Sequence, residues 1–188
     1  MKAINRRGRA DINELIRLIV SGDIRQIEAL IFNQPELTNS REDSNFNTPL
    51  QIACSRGFLP IVKLLVAHKS DCNAQDMFGN TALHYACDKG RKEVIQFLLE
   101  IGSNPNIPDY RGNTPLHNSC SINDLQAVHL LLKHGAVADH LDHSNIKPAD
   151  KASSSSIKLA IENFLVFFSN KFRTVSYTHL TLPTNREV

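Results

Sequence analysis

The chain has 188 residues, enough for one domain with a sizeable core. Apolar residues make up 41% and charged residues 21%, which is ordinary for a globular protein, and a net charge of +2 does not by itself indicate binding to nucleic acid or acidic lipid. No apolar run is long enough to span a bilayer, so no membrane insertion is expected.

The chain begins with a locally basic segment, residues 1–11, for which we expect a solvated, frayed tail. Residues 12–42 follow as an N-terminal capping unit. Within it, LIRLIVSGDIRQIEALI (15–31) has the apolar spacing of helical structure that closes one end of a larger array. We expect Arg17, Arg25 and Glu28 to face outward from this cap.

A block of similar sequence then recurs every 33 residues. The copies read NTPLQIACSRG (47–57), NTALHYACDKG (80–90) and NTPLHNSCSIN (113–123), and a weaker copy, IKPADKASSSS, begins at Ile146. Each strong copy places a threonine to cap a helix, usually with proline at the first helical position. Gly57, Gly90 and Asn123 come where a left-handed residue would end that helix.

A second apolar segment follows each strong copy, as IVKLLVA, VIQFLLE and AVHLLLK, so each unit is predicted to contain two helices. One such unit cannot bury its apolar faces alone, and we expect the units to stack at a spacing of about 10 Å. The predicted units are 43–75, 76–108 and 109–141, with 142–174 as the C-terminal cap. Phe164, Phe167 and Phe168 in that cap either fold back on the last repeat or are covered by something that follows.

The period of 33 residues and the T-P-L-H-x-A core resemble the ankyrin repeat over about residues 12–168. The resemblance implies an all-α solenoid of stacked helix-turn-helix units with β-turn or hairpin tips. It also implies a monomeric, non-catalytic module that binds another protein through the repeat tips and a concave groove. Two alternatives stay open: a recognition part of a larger protein, such as a ubiquitin-ligase substrate adaptor, and a nucleic-acid-associated regulator that uses the basic N-terminus.

His117 and Cys120 are residue types that nucleophilic enzymes use, and they share a helix face. The same pair recurs one unit earlier as His84 and Cys87, and Gln51 takes the histidine position before that. Since a catalytic dyad would not recur with glutamine allowed in one copy, we interpret these positions as structural. The ankyrin resemblance implies that the histidine ring ties adjacent loops together. No nucleotide-binding or zinc-hydrolase motif occurs, so we predict no enzyme activity, cofactor or small-molecule substrate.

The four cysteines have no paired spacing, which fits neither a disulfide framework nor a zinc site and indicates a reducing compartment, the cytosol or the nucleus. A denser group of His134, Asp139, His140, Asp142 and His143 falls in a connecting loop. We interpret that group as a hydrated polar loop rather than a metal site.

Binding residues are expected at the turn tips and on the exposed side of each first helix. Met77, Phe78 and Tyr110 place large apolar or aromatic side chains at two adjacent tips, with Arg111 beside them, and such residues are enriched where interfaces gain most of their affinity. The alternative is that Met77 and Phe78 pack against the neighbouring turn. The predicted partner-binding residues are Asn45, Ser55, Arg56, Met77, Phe78, Asn80, Asp88, Lys89, Tyr110, Arg111, Asn113 and Ile122.

Two further segments resemble known sequences. LVAHKSDCNA resembles the segment that asparaginyl hydroxylases modify in ankyrin proteins, which makes Asn73 a candidate hydroxylation site, and a turn-forming asparagine is the alternative. VSYTHLTLPTNREV (175–188) shares no period with the rest and resembles a translated sequencing adapter, so we expect a non-native tail there. That expectation leaves open whether the native chain continues past Thr174.

Overall fold

A computed structural model describes the backbone of residues 2–175 and the side chains of residues 12–167. Within these residues the chain forms ten α-helices and one short 3-10 helix, Pro35–Asn39, and no residue forms a strand. The helices are α1 (Lys2–Ser21), α2 (Ile24–Asn33), α3 (Pro49–Arg56), α4 (Leu59–Ala67), α5 (Ala82–Asp88), α6 (Lys92–Glu100), α7 (Pro115–Ser121), α8 (Leu125–Lys133), α9 (Pro148–Lys151) and α10 (Ser155–Val175). The tail predicted for residues 175–188 lies outside the described residues, apart from Val175 at the end of α10.

The repeated helices begin and end where the sequence predicts. Thr48 is the N-cap of α3, its hydroxyl accepts from the backbone N–H of Gln51 at 3.3 Å, and Pro49 is the first helical residue. Gly57 ends α3 with a φ of 78°, and Asn123 adopts a φ of 58° just after α7. The predicted threonine caps and left-handed stops are therefore confirmed.

The helices stack in two rows that share one apolar core. The first helices of the units, α1, α3, α5, α7 and α9, pack against one another in that order, and α2, α4, α6, α8 and α10 form the second row. Leu50, Leu83 and Leu116 occupy the same place in three units and are at most 1% exposed. The buried set runs without a break from Ile12 in α1 to Ile161 in α10. The predicted all-α stack is confirmed, and each unit depends on its neighbours for burial.

The N-terminal unit differs from its prediction in one respect. Because α1 begins at Lys2, residues 2–11 continue a helix instead of forming a frayed tail. The segment is rich in Lys, Arg and Ala and has no proline, and such residues extend a helix readily once its later turns are packed. Gly22, with a φ of 79°, and Asp23, the N-cap of α2, separate α1 from α2. The cap residues predicted to face outward are exposed: Arg17, Arg25 and Glu28.

The C-terminal unit has two helices of very different length, four residues in α9 and 21 in α10. Ile157 and Ile161 are 0% and 2% exposed, and Phe164 is partly buried against the core, so α10 folds back on the last repeat as one reading predicts. Phe167 is 65% exposed, and the side chain of Phe168 lies outside the described residues. Within residues 2–175, neither α10 nor another helix is both long and apolar enough to cross a membrane.

Candidate functional site

Four turns, one before each of α3, α5, α7 and α9, form the tips of the stack. We call them tip 1 (41–47), tip 2 (74–80), tip 3 (107–113) and tip 4 (140–146). In tip 2, one carboxylate oxygen of Asp76 accepts from the backbone N–H groups of Phe78 and Asn80, both at 2.8 Å. Asp109 and Asp142 make the equivalent two bonds in tips 3 and 4. These carboxylates therefore hold the turns in shape and are turned toward their own backbone.

Neighbouring tips are also joined directly by backbone hydrogen bonds. The bonds run from Met77 N–H to Asn45 O at 3.2 Å, from Tyr110 N–H to Phe78 O at 2.9 Å, and from His143 N–H to Arg111 O at 2.9 Å. One bond between each pair of tips is too few to make a strand ladder, so the tips are turns and the hairpin form of the prediction is not realised in the described residues. The four tips nevertheless form one continuous row.

The close contact between tips requires glycine at one position of tips 2 and 3. Gly79 has a φ of 84°, and a Cβ atom there would lie 2.6 Å from the backbone nitrogen of Tyr110. Gly112 has a φ of 82°, and its Cβ would lie 2.8 Å from the nitrogen of His143. In tip 1 the same position, 33 residues before Gly79, is taken by Phe46 with a φ of 57°. A left-handed conformation costs a non-glycine residue about 1–2 kcal/mol, and such strain is concentrated at functional sites.

Phe46 is 52% exposed, and the sequence pattern did not identify it as a binding residue. The signal was present in the repeat alignment, because an aromatic residue stands where the next two units have glycine. An exposed aromatic ring therefore adds apolar surface to tip 1 at a position where tips 2 and 3 have glycine and tip 4 has Asn145.

The predicted aromatic cluster forms a cleft between tips 2 and 3. Met77, Phe78 and Tyr110 are 46%, 51% and 64% exposed, so roughly half of each side chain faces solvent rather than the neighbouring turn. Together with Asn80, Asp109 and the exposed Arg111 they line a cleft of about 320 Å³. The structure thus brings five of the predicted binding residues together at one place. That they bind a partner stays a prediction.

The other predicted binding residues lie outside this cleft. Ser55 and Arg56 line a smaller cavity of about 100 Å³ next to Tyr85, and Asp88 and Lys89 form an exposed ion pair at 2.9 Å. Asn45 is exposed on tip 1. Ile122 is 41% exposed but lines a separate depression between α6 and α8. Asn113 has a structural role, because its side chain accepts from Lys151 Nζ at 2.7 Å and donates to Asp109.

The repeated histidines join each unit to the next. His84 Nδ1 accepts from the backbone N–H of Thr81 at 3.1 Å, and Nε2 lies 3.0 Å from the carbonyl oxygen of Asn113. An N–H can only donate and a carbonyl can only accept, so these partners require a neutral ring with its proton on Nε2. His117 has the same arrangement with Thr114 and the Ile146 carbonyl.

Gln51 makes the equivalent bridge in the first of these units. Its Oε1 accepts from the backbone N–H of Thr48 at 2.7 Å, and its Nε2 donates to the carbonyls of Asn80 and Ala74. Histidine and glutamine thus make the same two contacts, one with the N-cap backbone N–H and one with a carbonyl of the next unit. The interpretation of this position as structural is confirmed. Burial lowers the pKa of His84 and His117, in keeping with the neutral form.

The cysteines beside these residues are buried thiols. Cys54, Cys87 and Cys120 are 0% exposed. Burial raises the pKa of Cys87 and of Cys120 to about 12 and raises that of Cys54 well above its usual value. A nucleophile or metal ligand needs the thiolate, which burial disfavours here.

The polar loop of tip 4 is organised by an ion pair. Lys151 Nζ lies 2.7 Å from Asp142 Oδ2, and this bond with the backbone N–H groups lowers the pKa of Asp142 to about 2. The ring of His140 meets the ring of His117 edge-on at 6.0 Å. Among the side chains of residues 12–167, no three of the His, Cys, Asp and Glu type converge in a way that could hold a metal ion.

Asn73 takes part in the loop that leads from α4 into tip 2. Its side-chain oxygen accepts from the backbone N–H of Asn104 at 3.0 Å, and Asn106 makes the equivalent bond to Val137 N–H at 2.8 Å. The turn-forming reading is therefore confirmed. Hydroxylation of Asn73, which is exposed, stays a prediction.

Comparison with protein families agrees with the repeat structure. A family model described as ankyrin repeats, in three copies, matches residues 15–109, and a single ankyrin-repeat model matches residues 111–145. The two matches together cover more than half of the chain. No curated protein matches the chain.

Proposed function

The chain belongs to the ankyrin-repeat family, whose repeats are in general protein-interaction modules, and on this premise we propose that it is a non-catalytic module that binds a partner protein through its tips and groove. The observation that carries the proposal is the cleft between tips 2 and 3. Its walls are half-exposed apolar and aromatic side chains held on turns that are fixed by hydrogen bonds. Rigid aromatic residues around a pocket are the usual anchors of a protein interface.

The histidines and cysteines that are residue types of nucleophilic enzymes favour a binding module over an enzyme. Both ring nitrogens of His84 and His117 are engaged by backbone groups, and the neighbouring thiols are buried and protonated. A general base needs a free ring nitrogen within reach of a substrate. Because the cysteines are unpaired thiols, we also propose that the protein works in the cytosol or the nucleus.

Affinity capture from cells with wild-type chain and with a Phe78→Ala/Tyr110→Ala variant tests the proposal. We expect the variant to lose the captured partner, since a truncated anchor costs about 2 kcal/mol or about 30-fold in affinity. The matched control is Phe32→Ala, because Phe32 is also an exposed aromatic residue, at 80%, but lies on α2 and does not line the cleft. Equal capture by all three proteins, each with unchanged thermal stability, would contradict the proposal.

A further inference from the structure

A side chain on the first helix ties neighbouring tips together in two of the units. The position is held by Tyr85 in α5, by Asn118 in α7 and by Lys151 in α9, at steps of 33 residues. Lys151 Nζ donates to Asp142 Oδ2 in the tip of its own unit and to Asn113 Oδ1 in the tip before it, both at 2.7 Å. One ammonium group thus joins a carboxylate and an amide oxygen across tips 3 and 4.

Tyr85 makes the equivalent link between tips 1 and 2. Its hydroxyl oxygen lies 2.6 Å from Asp76 Oδ2 and 3.0 Å from Asn47 Oδ1. These two oxygens stand two repeat steps before those of Asp142 and Asn113, so the same pair receives the donor in both places. We call the aspartate Oδ2 of one tip and the asparagine Oδ1 of the tip before it an acceptor pair.

Among the described side chains, Asn118 does not make this link between tips 2 and 3. The acceptor pair there is Asp109 Oδ2 with Asn80 Oδ1, and the Asn118 side chain is shorter than that of tyrosine or lysine. Within residues 12–167, Asp109 Oδ2 accepts a hydrogen bond from the Asn113 side chain at 3.2 Å and from no other group. No group in that range donates to Asn80 Oδ1, and the Asn118 amide makes no side-chain hydrogen bond there. The sequence therefore keeps the acceptor pair at this place and omits the donor.

This acceptor pair belongs to the cleft between tips 2 and 3. Asn80 and Asp109 line the cleft together with Met77, Phe78, Tyr110 and Arg111. Both Asn80 and Asp109 are only partly buried, so a group that enters the cleft can reach them. The backbone bond from Tyr110 N–H to Phe78 O is equivalent to the bonds between the other tips, so this pair is arranged like the other two. A side chain in the cleft therefore lies beside apolar groups and beside the acceptor pair.

The charge of the tips favours a cation as the donor. Tips 1–3 contain two arginines and four carboxylates, namely Arg41 and Arg111 against Glu42, Asp43, Asp76 and Asp109. A carboxylate that accepts hydrogen bonds keeps its negative charge. Of the residues that line the cleft, Arg111 is the one cation, and its side chain is exposed to solvent. Tips 1–3 are net negative and so complement a positively charged group of a partner.

We propose that the partner protein inserts a lysine side chain into the cleft between tips 2 and 3; this rests on the proposed function. The ammonium donates to Asp109 Oδ2 and Asn80 Oδ1, as Lys151 does to the acceptor pair one unit later. The methylene chain packs along Phe78 and Tyr110, whose ring faces also attract a cation. Lysine fits better than arginine, because the pair next along the stack is bridged by a compact ammonium and not by a planar fork.

A short peptide tests the inference without knowledge of the natural partner. The probe is the blocked pentapeptide Ala-Leu-Lys-Leu-Ala, titrated into the isotope-labelled full chain and followed by the NMR amide signals of Phe78 and Tyr110. One control carries acetyl-lysine, which keeps the length of the side chain and removes its charge. A second control carries arginine. We expect saturable shifts with the lysine peptide, an affinity at least about tenfold lower for acetyl-lysine and a several-fold lower one for arginine.

The substitution Asn118→Lys tests the acceptor pair with a donor from the chain itself. It should reproduce the link made by Lys151, raise the midpoint of urea unfolding and weaken binding of the lysine peptide at least about tenfold. Asn118→Met is the matched control, because methionine has a long side chain without charge, and it should leave peptide affinity unchanged. A lower midpoint for Asn118→Lys than for Asn118→Met, or unchanged peptide affinity in Asn118→Lys, would contradict the inference.

Two changes of charge at the cleft have opposite expected effects. Asp109→Asn keeps the Oδ1 acceptor of the turn and removes the charge, so it should weaken binding of the lysine peptide at least about tenfold. Arg111→Gln removes the cation that repels the ammonium, so it should tighten binding several-fold. Weaker binding after Arg111→Gln would show that the cleft does not receive a cation.

The peptide and the cellular partner separate this inference from the proposed function. Equal affinity for the acetyl-lysine peptide would overturn the inference, as would failure of the lysine peptide to bind. If the lysine peptide fails although the Phe78→Ala/Tyr110→Ala variant loses its cellular partner, the inference is wrong and the proposed function stands. If that double variant keeps its partner, the proposed function itself is wrong.

Discussion

The bridge made by His84 allows a sharp test of the structural role of the repeated histidines. Replacing His84 with alanine leaves the buried N–H of Thr81 without its acceptor, whereas the carbonyl of Asn113 keeps a second donor, the N–H of Asp109 at 2.8 Å. An unsatisfied buried donor costs about 1–3 kcal/mol, and the lost bond to the carbonyl costs about 1 kcal/mol. We therefore expect His84→Ala to lower the free energy of unfolding by about 2–4 kcal/mol.

Glutamine is the matched control, because Gln51 makes the same bridge in the preceding unit. His84→Gln should restore both bonds and lower the free energy of unfolding by less than about 1 kcal/mol. Urea unfolding at pH 7, followed by circular dichroism, measures both variants. If glutamine is as damaging as alanine, the ring has a role that hydrogen bonding does not explain, and if alanine costs nothing, the bridge does not stabilise the stack.

Three other changes test the account of the core and its titrating groups. Because burial lowers the pKa of His84 and His117, the unfolded chain binds more protons below about pH 6.5, and stability should fall as the pH drops from there toward the folded-state pKa values. The variant with glutamine at both positions should keep its free energy of unfolding over this pH range, as measured by urea titration. If its stability falls with pH as steeply as that of wild type, other groups cause the pH dependence. Ser119→Ala should raise the unfolding free energy by about 1 kcal/mol, since the buried Ser119 hydroxyl has only the weakly bonding thiol of Cys87 beside it, where the other units have alanine; a lower midpoint in urea would show that the hydroxyl stabilises the fold. Leu83→Ala should lower the unfolding free energy by about 2–5 kcal/mol through a cavity between units, and a loss below about 1 kcal/mol would argue against a continuous core.

The repeat made most of the fold predictable, because the residues that determine each helix recur at the same positions in several units. A threonine cap, a leucine and a histidine at a fixed step determine where a helix begins, which side is buried and how one unit joins the next. The same step predicted a structural role for His117, since Gln51 occupies the equivalent position. Family membership and burial of Leu50, Leu83 and Leu116 followed from the same pattern.

Features that occur only once were harder to predict. The helical start of α1 at Lys2 depends on turns that lie later in the chain, and local composition alone indicated a frayed segment. The role of Asn113 depends on Lys151, which comes from the next unit and reaches back to it. Exposure of Ile122 was predicted, but its place away from the tip cleft depends on how α6 and α8 pack. Phe46 could have been identified from its alignment with Gly79, had its position in the turn been considered.

Site-specific photo-crosslinking reports directly which surface of the protein meets a partner in the cell. A photoreactive phenylalanine analogue is placed at position 78, at position 110 or, as a control, at position 32 on α2. We expect a covalent adduct with the same partner protein from positions 78 and 110 and none from position 32. Adducts from position 32 alone, or equal adducts from all three positions, would contradict the claim that the cleft between tips 2 and 3 is the binding site.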